Sequence, residues 1–107
     1  MPKYLIQGSY SQSGVQGLLK EGGTSRRASI DTLVNGMGGN LETFYYAFGE
    51  NDIYVIVDLP DDATATAVSL AVGAAGSISG FNTTVLVTPE TVDEAAKKTV
   101  DYRPPGS

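Results

Sequence analysis

The stretch from Leu41 to Asp62, LETFYYAFGENDIYVIVDLPDD, constrains the fold more than any other part of the chain. Two runs rich in aromatic and β-branched residues flank Gly49-Glu50-Asn51-Asp52, and the second run stops at Pro60 before an aspartate pair. Such runs mark strands, the turn residues mark a hairpin, and Asp ahead of an alanine-rich run marks a helix start. The segment therefore reads as a hairpin feeding a helix. Its strands are expected over Leu41 to Phe48 and from Asp52 or Ile53 to Leu59. Closed tightly at Glu50-Asn51, the hairpin pairs Phe48 with Ile53, Tyr46 with Val55 and Phe44 with Val57 on one face. The other face then sets Tyr45 against Ile56, Ala47 against Tyr54 and Thr43 against Asp58. If Gly49 needs a positive φ, replacing it costs about 1 kcal/mol or more.

The remaining elements follow from periodicity. Lys3 to Tyr10 alternates as a strand. Four glycines interrupt Ser11 to Gly23, so only Val15 to Lys20 is expected to make a helical turn or two. A helix after Thr24 or Ser25 carries the stripe Ile30, Leu33, Val34 and Met37 and ends at Gly36, Gly38 and Gly39. Asp61 or Asp62 caps a helix with a buried stripe of Ala67, Leu70, Ala71 and Ala74, which Gly76 stops. A fourth strand runs from about Ser79 to Thr88. From about residue 89 a short helix reaches about Thr99, followed by an extended tail. The order β-α-β-β-α-β predicts a ferredoxin-like α+β fold, a four-stranded antiparallel sheet with both long helices on one face. The free face carries Tyr45, Tyr54 and Ile56, an apolar patch suited to a second copy of the chain.

Composition narrows the chemistry. At 107 residues, 41% of them apolar, the chain reads as one globular domain over 1–107. A net charge of -5 without a dense cationic patch argues against nucleic acid as a partner. Cysteine and histidine are both absent, which removes thiolate and His metal sites, the serine–histidine triad and a histidine base. No metal or cofactor is expected. No apolar run is long enough for a membrane span and the first residues carry no signal core, so the expected location is cytoplasmic.

With these elements placed, the chain resembles the GYD domain family from about Lys3 to Tyr102. The resemblance rests on Gly49-x-x-Asp52, on Pro60-Asp61-Asp62 and the alanine-rich helix ending at Gly76, on Ser25-Arg26-Arg27, and on Tyr102-Arg103-Pro104-Pro105-Gly106. Asn51 stands where the family's tyrosine would be. The resemblance implies a dimeric α+β barrel, whose relatives include cofactor-free isomerases and oxygenases.

Arg26 and Arg27 break a local rule, because cations near a helix N-terminus oppose its dipole. With the free amides of Thr24 to Arg27 they form a candidate site for a carboxylate, sulfate or phosphate. The alternatives are pairing with surface acids, or a helix that starts earlier. Asp52 is a candidate general base if buried against Tyr54 or Tyr10, or simply a turn aspartate bonding to amides. Tyr10, Tyr45, Tyr46 and Tyr54 are candidate cavity walls, with Tyr45 and Tyr54 preferred for a pocket or an interface. The segment Asn35 to Asn40 lies after a helix and reads as a stop rather than a phosphate loop. Three functions are compatible: a homodimer or larger homo-oligomer that binds a small acidic or polar aromatic metabolite, a cofactor-free isomerase or oxygenase, and a purely structural assembly.

Overall fold

A computed structural model describes residues 1–107. Its elements are β1 (Lys3–Tyr10), α1 (Gln12–Glu21), α2 (Gly23–Gly36), β2 (Asn40–Tyr46), β3 (Ile53–Asp58), α3 (Asp62–Ala75), β4 (Ile78–Leu86) and α4 (Pro89–Ala96). The strands form one antiparallel sheet in the order β2-β3-β1-β4. This is the ferredoxin-like α+β plan, with a second helix in the first crossover and one more after β4. The core gathers Tyr4, Val34, Leu41, Val55, Val57, Leu59 and Ala65 between the sheet and α2 and α3.

The hairpin is present, but its register differs from the expected one by two residues. Tyr46 faces Ile53, Tyr45 faces Tyr54, Phe44 faces Val55 and Thr43 faces Ile56. The strand ends at Tyr46, and Phe48 lies wholly exposed in the turn. A two-residue slip keeps every side chain on its face, so the division into two faces survives. Glu42 forms a bulge after which Leu41 faces Val57, and this turns Leu41 into the core beside Phe44. Gly49 is not among the glycines with positive φ, and a side chain there would meet nothing. The turn is set instead by Asp52. Its carboxylate accepts from the Tyr10 amide at 2.9 Å, its amide donates to the Gly8 carbonyl at 2.9 Å, and its carbonyl accepts from Ala47 at 2.8 Å.

The glycine-rich stretch after β1 forms a full helix rather than a turn or two. Ser11 caps α1 by accepting from the Gly14 amide at 3.2 Å, while its hydroxyl donates to the Gly76 carbonyl at 2.8 Å. The Ser11 amide also donates to Ser77 at 2.9 Å. Gly14 then passes so close to Ser77 that any side chain would collide with its carbonyl. The helix survives its glycines because tertiary contacts hold it, and one glycine is what lets those contacts form.

Asp61 caps α3, accepting from the Thr64 amide at 2.8 Å, and Gly76 ends the helix. The expected buried stripe is reversed. Ala65, Val68 and Val72 face the sheet, whereas Ala67, Leu70, Ala71 and Ala74 are exposed. The helix is apolar on both sides, so periodicity alone cannot choose the inner one. In β4, Gly80 adopts φ +57 within a bulge opposite Gly8, and this places Ile78 and Phe81 on the same side of the sheet.

Beyond β4 the chain leaves the body of the fold. Every residue from Val87 to Ser107 is exposed, including Val92, Val100 and Tyr102. The longest dimension is 56 Å, and the radius of gyration is 17.0 Å. A globular chain of this length has a radius of about 13 Å.

Candidate functional site

Between the sheet and helices α2 and α3 lies a cavity of about 70 Å³. Ile6, Phe44 and Val55 form its floor, Ile30 and Val34 one wall, and Val68 and Val72 the other. Of fourteen lining residues, thirteen are hydrophobic, Tyr10 among them, and the remaining one is Arg26.

Local structure explains how the arginine reaches this place. Gly22, at φ +93, separates α1 from α2 and turns the chain so that α2 begins at Gly23. The Tyr46 hydroxyl donates to the Gly23 carbonyl at 3.0 Å, and the Tyr46 ring lies directly under Gly23. The first turn of α2 therefore rests on Tyr46, whose ring packs edge-on against Phe44 at 5.1 Å. Arg26, Ile30 and Val34 recur every four residues and share the face of α2 that looks onto the sheet. Arg27 is one position round the helix and exposed.

The helix starts earlier than the sequence implies, and this changes which amides are free. The Arg26 amide already donates to the Gly22 carbonyl at 3.1 Å. Unbonded amides therefore precede Arg26 instead of extending to Arg27. The two ion pairs of the chain run from Lys3 to Glu42 at 2.8 Å and to Asp58 at 2.9 Å, and neither includes Arg26.

Arg26 lies close enough to Tyr10 and Tyr46 to act on both phenols. Burial pushes the Tyr10 phenol up to about 12; Tyr46 adds to the rise, and the Arg26 guanidinium opposes it. Burial likewise raises Tyr46, against the influence of Tyr10 and Arg26 and with that of Glu21. Both phenols therefore remain protonated at neutral pH. The cluster offers one positive charge and the Tyr10 hydroxyl beside an apolar space, while the Tyr46 hydroxyl is committed to the Gly23 carbonyl.

A second, mostly polar hollow of about 170 Å³ lies beside the first and shares Tyr10 and Arg26 as walls. Ser13, Gly17, Glu21 and Ser77 complete much of its lining. Glu21 stands at the end of α1, a helix longer than its sequence suggests, so its place in the hollow was not legible.

The structure thus brings together Tyr10 and Arg26 from the sequence candidates, with Tyr46 beside them. Arg27 lines neither hollow. Tyr45 and Tyr54 face each other across the ladder on the opposite, helix-free side of the sheet, where Tyr45 is 69% exposed. Asp52 lines neither hollow and bonds to the amide of Tyr10. No group of three or more carboxylates gathers to hold a metal ion: Asp61 caps α3, and Asp62 accepts the Tyr4 hydroxyl. No helix is long and apolar enough to cross a membrane.

No curated protein matches the chain. The sequence model of the GYD domain matches residues 4–96, from β1 to the end of α4. With that match over most of its length, the chain belongs to the GYD domain family.

Proposed function

We propose that the protein is a homodimer whose protomers each bind, without a cofactor, a small carboxylic acid with an apolar tail. The observation that carries this reading is Arg26, a charge set in an otherwise apolar wall and engaged in no ion pair. Arg26 is only half-buried, but it stands among apolar side chains, and a guanidinium matches a carboxylate through two parallel hydrogen bonds. The protonated phenol of Tyr10 flanks that position, and the apolar cavity takes the tail. Nothing at Asp52 favours proton transfer, because it lines neither hollow. Binding is therefore preferred to catalysis.

The dimer rests on surface area. The chain exposes 7218 Å², roughly 1,500 Å² more than the ~5,700 Å² of a monomer of this mass. A standard interface removes about 800 Å² from each partner, roughly half of the excess, whereas the roughly 1,000–2,500 Å² per partner of an obligate homodimer covers it. The helix-free sheet face with Leu5, Tyr45, Tyr54 and Ile56 is the natural meeting surface, and the arm beyond β4 adds to it.

Thermal melting in a series of acids tests the ligand. A branched or aromatic acid such as 4-methylpentanoate should raise the melting temperature saturably, adding roughly 1.4 kcal/mol at a tenfold excess over its Kd. An equal response to acetate would remove the role of the apolar cavity. No response to any acid would overturn the reading.

A further inference from the structure

Glu21 and Arg26 line the same polar hollow with opposite charges, yet they form no ion pair with each other. The Ser29 hydroxyl donates to Glu21 Oε1 at 3.4 Å, a weak bond that leaves the carboxylate largely free. Two unlike charges that share a hollow but stay apart leave room for a molecule carrying both signs. From this arrangement we infer that the ligand is a zwitterion, an α-amino acid with a branched aliphatic side chain. The inference deepens the acid-binding reading above and rests on it.

Each part of such a ligand has a counterpart on the page. Arg26 takes the α-carboxylate as a two-pronged donor. Glu21, which lines the same hollow, accepts from the α-ammonium. Tyr10 and Arg26 belong to both hollows, so a ligand held by its charged end beside them directs its side chain into the apolar cavity. The cavity walls there are Ile, Val and Leu side chains, together with Phe44 and Phe81. A space of about 70 Å³ matches a short branched chain better than a fused aromatic ring. The remaining contents of the polar hollow are neutral, with Ser13 and Ser77 present as hydroxyl donors or acceptors and no second cation. That composition matches one carboxylate and one ammonium, and it does not match a dianion such as a phosphate monoester.

Calorimetric titration with three probes separates this inference from the reading beneath it. The probes are L-leucine, 4-methylpentanoate, which lacks the amine, and 3-methylbutylamine, which lacks the carboxylate. L-leucine should bind roughly tenfold or more tighter than either fragment, since each fragment leaves one charged protein group without its partner. Glu21→Gln should weaken L-leucine by about the same factor without weakening 4-methylpentanoate, whose carboxylate loses a repelling neighbour. The glutamine keeps the acceptor for Ser29, and the circular dichroism of the variant should match the wild type. Arg26→Ala should weaken both L-leucine and 4-methylpentanoate. If 4-methylpentanoate binds as tightly as L-leucine, or if Glu21→Gln weakens both alike, the zwitterion is overturned and the acid reading stands. If neither binds at millimolar concentration, both fall.

Discussion

The hydroxyl of Tyr4 donates to Asp62 Oδ1 at 2.6 Å, tying the central strand β1 to the first turn of α3. Tyr4 is among the three most completely buried large side chains, so this bond fixes the helix over the sheet and with it the Val68–Val72 wall of the cavity. The bond to Asp62, with burial, raises the Tyr4 phenol to about 12. A phenol whose pKa is higher in the folded state stabilises the fold below its unfolded value and loses that contribution as pH rises through the folded one. Stability should therefore fall between about pH 10 and pH 12, with Tyr10 contributing over the same window. Ultraviolet titration of phenolate should show three late-titrating tyrosines in the wild type, Tyr4, Tyr10 and Tyr46, and two in Tyr4→Phe. Three late-titrating tyrosines in the variant would place the shift on another tyrosine.

At acid pH the sign reverses. The Thr64 hydroxyl and amide hold Asp61 below the usual carboxylate range, and Lys3 does the same for Asp58. Their contributions are complete above the ordinary carboxylate pKa and are lost as pH falls through the depressed values. Asp61→Ala should melt earlier than wild type at pH 7, and the gap should narrow as the pH drops below 4. An unchanged gap would mean that the cap acts through the backbone alone.

Three glycines separate steric need from simple tolerance. A side chain at Gly39 would strike the Asp58 carbonyl, so Gly39→Ala should cost about 1–3 kcal/mol. Gly73, inside α3, meets nothing, and Gly73→Ala should gain roughly 0.5–1 kcal/mol from helix propensity. Gly49 has neither a positive φ nor a close neighbour, so Gly49→Ala should leave the midpoint of urea unfolding nearly unchanged. A large loss at Gly49 would reinstate the turn as a glycine-dependent one.

Much of this architecture was legible in the chain. The hairpin, its two faces, the Asp61 cap and the ferredoxin-like order follow from alternation and turn chemistry. The missing parts have specific physical causes. Register failed because Phe48 suits a strand by composition, while the Asp52 clasp to β1 closes the ladder at Tyr46. The length of α1 failed because its support comes from Gly76 and Ser77, more than sixty residues away from Ser11. The inner face of α3 failed because both of its sides are apolar. The site was half visible. Arg26 lies four residues before Ile30, on the stripe already identified, and that spacing alone distinguishes it from Arg27. Tyr46 lies two residues after Phe44 on the core face, so its place near the cavity follows from alternation once the hairpin faces are known.

The free sheet face gives the dimer its test. Ile56 sits mid-strand there opposite Leu5 and Thr43. Ile56→Asp should shift sedimentation from dimer to monomer or give insoluble protein, because an unpaired charge buried at an interface costs several kcal/mol, on the order of 3–5. A wild-type chain that sediments as a monomer at low micromolar concentration would remove the dimer from the account.

The central claim is that Arg26, and not its neighbour, receives the ligand's carboxylate at the mouth of the apolar cavity. Calorimetric titration of 4-methylpentanoate into wild type, Arg26→Ala and Arg27→Ala tests it most directly. The account predicts saturable binding at one site per chain in wild type and Arg27→Ala, and a loss of roughly tenfold or more in affinity in Arg26→Ala. Equal losses in the two variants, or an unsaturable response in the wild type, would contradict it.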